Sequence, residues 1–240
     1  MHRPNRKAAP WIRVRAIVLQ SFLVSVLLGL TTAVANASPY GTWLSKPQIM
    51  FHLTNGTLEP AMARMKAQQY SVVFLDFRNV PDPEQQRVAQ VARQYQLMPI
   101  AWIQSPQFRS LSVQQLMDEG QYTDGIQVDD HFFGNYSQAD FRVLRSQYKK
   151  LIFCSIQPFQ ASVVPRSGCN KLDVQCYSPK SFRQCLGLAD RLGAITSLST
   201  ENTLIHRDRM GGRSFNVFLW PHSDEFVNGN PETIRSYQLE

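Results

Sequence analysis

Eight short runs of β-forming residues alternate with amphipathic helical patterns along most of the chain, and this rhythm narrows the possible fold more than any other feature. The runs are IMFHL (49–53), SVVFLDF (71–77), LMPIAWI (97–103), GIQVDD (125–130), LIFCSIQ (151–157), LDVQCY (172–177), AITSLST (194–200) and SFNVFLW (214–220). Between the first two, TLEPAMARMKAQQ sets Leu58, Met62 and Met65 on one helical face; after the second, PDPEQQRVAQVARQYQ opens on proline and acids before Val88, Val91 and Ala92. The later segments SVQQLMDEG, SQADFRVLRSQYKK and SPKSFRQCLGLADRLG each begin on serine, a preferred helix-start residue. Strands and helices in this alternation predict parallel strands joined by crossover helices. Eight units predict a compact (β/α)8 TIM barrel. A doubly wound open sheet is the competing architecture, but no GxGxxG turn follows the first strand.

The N-terminus reads as a leader. A basic head (Arg3, Arg6, Lys7, Arg13, Arg15) precedes an apolar run over 16–35 that closes on Ala35, Asn36 and Ala37, a small-x-small cleavage pattern. An uncleaved membrane anchor is the alternative, since roughly 20 apolar residues span a bilayer. Residues 1–37 are therefore expected to be a signal peptide or anchor, and 38–240 a single barrel domain. The leader carries five of the 25 Lys and Arg and none of the 18 Asp and Glu, which leaves 20 against 18. The basic balance of the whole chain therefore does not carry into the domain. No arginine-rich stripe with interleaved aromatics follows it, so a nucleic-acid partner is set aside.

Four cysteines, Cys154, Cys169, Cys176 and Cys185, fall in one short stretch. In an exported chain they can form disulfides, with three possible connectivities; Cys154 and Cys176 also suit the role of small buried apolar residues. The spacing has no CxxC pair of the structural-zinc kind.

A (β/α)8 barrel keeps its chemistry at the C-terminal ends of its strands. There the sequence places Thr54, Asn55, Asp76, Arg78, Asn79, Trp102, Gln104, Asp129, Asp130, His131, Gln157, Gln175, Tyr177, Glu201, Asn202, Trp220, His222, Asp224 and Glu225. Acids that move protons, amides that bind hydroxyls and aromatic faces that cover a sugar ring together suit a carbohydrate. On the fourth strand, side chains two apart share a face, so Gln127, Asp129 and His131 are expected to face the barrel axis. Asp130 then turns toward the helices or belongs to the loop.

The stretch YTDGIQVDDHFFGN (122–135), with LIFCSIQPF and LDVQCYSPKSF, resembles the glycosyl-hydrolase-like 10 family. The matching positions are Asp124, Gly125, Ile126, Asp129 and Asp130 on strand four, Ser155 and Pro158 on strand five, and Gln175 and Tyr177 on strand six. TWL at 42–44 and LTN at 53–55 are similar to the family's opening segment. The resemblance implies an exported or envelope-associated (β/α)8 glycosidase acting on bacterial cell-wall or exopolysaccharide glycans. A fainter similarity links the chain to chitinase-like barrels, whose fourth strand ends Asp-x-Glu: Asp129 keeps the inner aspartate, and His131 stands where those barrels have the catalytic glutamate.

The expected function is hydrolysis of a glycosidic bond. Asp129 would be nucleophile or charge stabiliser, and Asp130 or Glu201 the general acid. Asp76, Trp102, Gln127, His131, Gln157, Gln175, Tyr177 and Trp220 would bind substrate. The alternative is a barrel that binds glycan without cutting it, to which the missing glutamate and short loops point. A metal-dependent hydrolase using His131, His222, Asp129 and Asp130 lacks the tight His-x-His or HExxH spacing. No cofactor is called for. The expected partner is a polysaccharide or peptidoglycan-type glycan, with a membrane involved only if the leader is retained, and the domain is expected to be a monomer outside the cytoplasm, secreted or periplasmic.

Overall fold

The structure, a computed structural model, describes residues 38–103, 111–164, 168–199, 202–203 and 207–220. Eight parallel strands close into a barrel in sequence order: β1 (Ser38–Leu44), β2 (Val72–Leu75), β3 (Met98–Ile103), β4 (Gly125–Val128), β5 (Leu151–Ile156), β6 (Lys171–Gln175), β7 (Ile195–Ser199) and β8 (Ser214–Phe218). Strand β8 pairs back onto β1. The helices are α1 (Lys46–Thr54), α2 (Leu58–Ala67), α3 (Asp82–Gln94), α4 (Val113–Glu119), α5 (Phe132–Asn135), α6 (Gln138–Gln147) and α7 (Phe182–Leu192). This is the predicted (β/α)8 TIM barrel.

The first strand is not where the apolar run suggested. IMFHL lies inside α1, and the barrel instead opens on SPYGTWL. The cause is local: Ser45 and Gln48 form a capping box in which the Gln48 Oε1 accepts the Ser45 backbone N–H at 2.8 Å, and Pro47 sits in the first turn. Thr54 and Asn55 therefore end a helix and not a strand.

Alternation along the strands separates two cores. Leu44, Val73, Leu75, Ile126, Val128, Ile152, Ile156 and Val174 pack outward against helix residues such as Met62, Val88, Leu116 and Leu144. Trp43, Val72, Phe74, Ile100, Trp102 and Phe153 pack inward. Gly41 is required on β1, because a Cβ there would lie 2.8 Å from the Phe74 ring and 2.9 Å from Asn216 Oδ1. The inward positions on the far side are polar and fully buried: Gln127, Ser155, Asp173, Ser197 and Asn216.

Both disulfides are local, Cys154 to Cys169 and Cys176 to Cys185. They use all four cysteines and brace β5 and β6, the strands that carry much of the polar wall. Among the described residues no helix is long and apolar enough to cross a membrane.

Candidate active site

At the C-terminal ends of the strands a cavity of about 200 Å³ opens, lined by Trp43, Trp102, Asp129, Asp130, His131, Ser155, Gln157, Gln175, Tyr177 and Phe218. Trp43 and Phe218 meet edge to face with centroids 5.5 Å apart, and Trp102 meets Phe218 in the same way at 5.7 Å. These rings form an apolar wall, and the acids and amides face them.

Asp129 is held from three sides. Its Oδ1 accepts the Asp130 backbone N–H at 2.9 Å and the Gln175 Nε2–H at 3.0 Å, while its Oδ2 accepts the Trp102 Nε1–H at 3.2 Å. Asp130 Oδ2 accepts from Gln157 Nε2 at 2.5 Å, and His131 Nε2 lies 3.6 Å from the other oxygen. Gln160 locks this arrangement from behind: its Nε2 donates to the Asp130 carbonyl at 2.8 Å, and its Oε1 accepts the Gln157 N–H at 2.9 Å.

Burial, followed by the charge of Asp130, pushes the Asp129 carboxyl up to about 6, although the N–H groups of Asp130 and Trp102 pull the other way. One layer lower, burial raises the Asp173 carboxyl to about 7, against the pull of its hydrogen bond from Ser197. The Tyr177 hydroxyl is raised well above its ordinary value, first by burial and then by the charges of Asp173, Asp129 and Asp130. A mouth that holds protons to near neutrality is suited to proton transfer.

Of the residues the sequence pointed to, Trp102, Asp129, Asp130, His131, Gln157, Gln175 and Tyr177 come together around the cavity. Asp130 does so from the turn that follows β4, which ends at Val128; this is the loop placement, and not the helix-facing one, of the two the sequence allowed. Gln127 faces inward as expected but forms part of the floor, where its Oε1 accepts the Trp43 Nε1–H at 2.8 Å. Asp76 is buried and engaged by Arg78, whose Nε and Nη2 reach its two oxygens at 2.8 Å each, and it does not line the cavity. Trp220 is also displaced from the mouth. Strand β8 stops at Phe218, and Trp220 packs in the outer core beside His52, 3% exposed. Glu201, Gln104, His222, Asp224 and Glu225 lie outside the described residues. Among those described, no three His, Cys, Asp or Glu side chains stand together as a metal site.

Sequence reasoning missed Trp43, Phe218, Asp173 and Gln160. Trp43 and Phe218 follow from alternation once β1 starts at Ser38 and β8 ends at Phe218. Asp173 sits two residues before Gln175 on one face of β6, a signal that was legible. Gln160 left no pattern of its own.

No protein-family model matches the chain, and no curated protein does. Solved structures do. A homocysteine methyltransferase from Escherichia coli is 9% identical over 84% of this chain and 96% of its own, with a TM-score of 0.51. A truncated 3-deoxy-D-arabino-heptulosonate 7-phosphate synthase from Thermotoga maritima is 11% identical over 85% and 86%, with a TM-score of 0.53. The 3-dehydroquinate dehydratase of Aquifex aeolicus is 12% identical over 75% and 87%, with a TM-score of 0.50. The likeness is one of fold. At such identities the barrel is shared, and its chemistry must be argued from the residues at its mouth.

Proposed function

We propose that this protein is a glycoside-hydrolase-like barrel that cleaves a glycosidic bond in a bacterial envelope glycan or exopolysaccharide. The observation that carries the reading is a small aromatic-walled cavity lined by two carboxyl groups adjacent in sequence, Asp129 and Asp130, the former raised by burial to about 6. Rings of Trp43, Trp102 and Phe218 suit the apolar face of a sugar, and Gln157 and Gln175 suit its hydroxyls. The resemblance of the strand-four motif to the glycosyl-hydrolase-like 10 family supports the substrate class. Disulfides that use all four cysteines support export to an oxidising compartment.

In this mechanism Asp129 is the general acid. Its Oδ1 takes two N–H donors and its Oδ2 one, so the proton resides on Oδ2, from which it passes to the leaving oxygen. Asp130, fixed by Gln157 and Gln160, supplies negative charge beside the developing oxocarbenium ion. Glu201, expected from the sequence as an alternative general acid, lies outside the described residues and is given no role in this step.

Glycan binding without cleavage is the second reading, and one observation favours it. The two cavity acids, Asp129 and Asp130, are chain neighbours tied by the Asp130 backbone N–H on Asp129 Oδ1 at 2.9 Å, and His131 stands where chitinase-like barrels keep the catalytic glutamate. The test is to incubate the purified protein and its Asp129→Asn variant with bacterial glycans, including peptidoglycan strands stripped of peptide. Reducing ends released by the wild type, and at least about 100-fold more slowly by the variant, support cleavage. Saturable binding by both with no reducing ends replaces it with the second reading.

A further inference from the structure

We infer that Phe159, on the rim beside the cavity, is an aromatic platform for a sugar lying outside it, so that the ligand is a glycan chain and not a single sugar. The inference rests on the glycan reading of this site and adds to it the length of what binds.

The cavity sets the problem. Its volume of about 200 Å³ lies below the roughly 300–1,000 Å³ of sites that enclose a drug-sized ligand. Such a space suits a single ring of a glycan, and the rest of a chain has to lie on the rim.

Chain geometry places an aromatic ring there. Gln157 lines the cavity and Phe159 follows two residues later, so their Cα atoms stand at most about 7 Å apart. The segment joining them is the short 3-10 turn Pro158–Gln160, capped by Gln157. Both glutamines of this turn grip Asp130: Gln157 Nε2 donates to its Oδ2 at 2.5 Å, and Gln160 Nε2 to its carbonyl at 2.8 Å. With about three residues per turn, Phe159 projects to one side of the face that holds the acid. It therefore stands beside the mouth and not in it, and it is absent from the cavity lining.

The ring has no packing role of its own. Phe159 is 75% exposed, more than any other large apolar side chain among the described residues. Its backbone is nevertheless braced. Besides the two glutamines, Gln138 Nε2 donates to the Val163 carbonyl at 2.7 Å, and the Cys154–Cys169 disulfide ties β5, which leads into the turn. An apolar ring on a braced backbone gives up little conformational freedom when a ligand stacks on it. The surrounding segment, QPFQASVV (157–164), carries no charged side chain. That suits an uncharged sugar face, and it gives an acidic peptide or a nucleic acid nothing to pair with. Phe51, the other exposed ring at 60%, belongs to α1, and the nearest cavity residue along the chain is Trp43, back on β1.

The experiment is calorimetric binding of bacterial glycans, peptidoglycan strands stripped of peptide among them, each supplied as single sugars and as chains of several. Wild type, Phe159→Ala, Phe159→Tyr and Phe51→Ala are compared. The wild type should bind a chain more tightly than the single sugar. Phe159→Ala should lower that ratio of affinities about tenfold, the effect of losing one ring face from the contact, with an unmoved urea unfolding midpoint. Phe159→Tyr and Phe51→Ala should keep the ratio. A ratio unchanged in Phe159→Ala, or lowered equally in Phe51→Ala, overturns the proposal, and the glycosidase reading survives if the wild type still releases reducing ends. A ratio that falls only in Phe159→Ala, in a protein that releases none, upholds the platform while hydrolysis fails. A wild type that binds no chain more tightly than its single sugar overturns the platform outright.

Discussion

Strands β1 to β3 fill the barrel interior with Trp43, Phe74, Ile100 and Trp102, whereas β5 to β8 present Ser155, Asp173, Ser197 and Asn216 to the same space. The first half is held by shape: Trp43 stacks on Phe74 at 4.5 Å, and Phe74 meets Phe153 edge to face at 5.5 Å. The second half is held by directional hydrogen bonds and leaves buried polar atoms without partners. Ring packing tolerates no charge but needs no particular protonation state. The polar wall depends on protonation throughout. Asp129 stands at the seam, taking one N–H from Trp102 on the ring side and one from Gln175 on the polar side.

The division can be broken from either side. Asp129→Asn should lower turnover by about 10²–10⁴-fold, measured by reducing-end release, while denaturant unfolding shows no loss of stability. Phe74→Ala should do the reverse, costing about 3–5 kcal/mol of unfolding free energy while the Asp129 titration midpoint of the folded fraction is kept. Replacing the Cys154 and Cys169 pair by alanine opens a loop with a sequence separation of 15 and should cost about 3 kcal/mol.

A smaller effect separates the halves by pH. Asp173 has a carboxyl pKa raised in the folded chain to about 7, above the unfolded value near 4, so the folded state binds the extra proton between these limits. The contribution of Asp173 to stability should therefore be greatest below about pH 4, fall as pH rises toward 7 and then level off. Urea midpoints across that window should show a shallower fall for Asp173→Asn. The smallest change is expected at the exposed Arg213 and Asp190 pair, where Arg213→Ala should cost less than about 1 kcal/mol in the same assay.

Seven of the eight strands were legible because their apolar alternation is strong and each is followed by a helical pattern. β1 was not: Pro39 and Gly41 weaken SPYGTWL as a strand, while IMFHL imitates one. The serine and glutamine of the capping box at Ser45 and Gln48 were the signal that would have corrected it. At the site, alternation found Asp129 and Gln127 and left Asp130 free to lie in the loop, as it does, whereas reading site residues off strand ends failed where β8 stopped early, at Trp220. The Asp173 network needed the barrel to close before β6, β7 and β8 could bring Asp173, Ser197 and Asn216 together. Gln160 becomes meaningful only when a short helical turn folds it back onto Asp130.

The Trp102 contact has a practical consequence. Two of the chain's four tryptophans, Trp43 and Trp102, line the cavity, and the indole N–H of Trp102 rests on the carboxyl whose charge changes near pH 6. Intrinsic emission will then report both the ionisation of Asp129 and the arrival of a ligand between the rings. The protein carries its own optical probe, readable with no label and before any substrate is known.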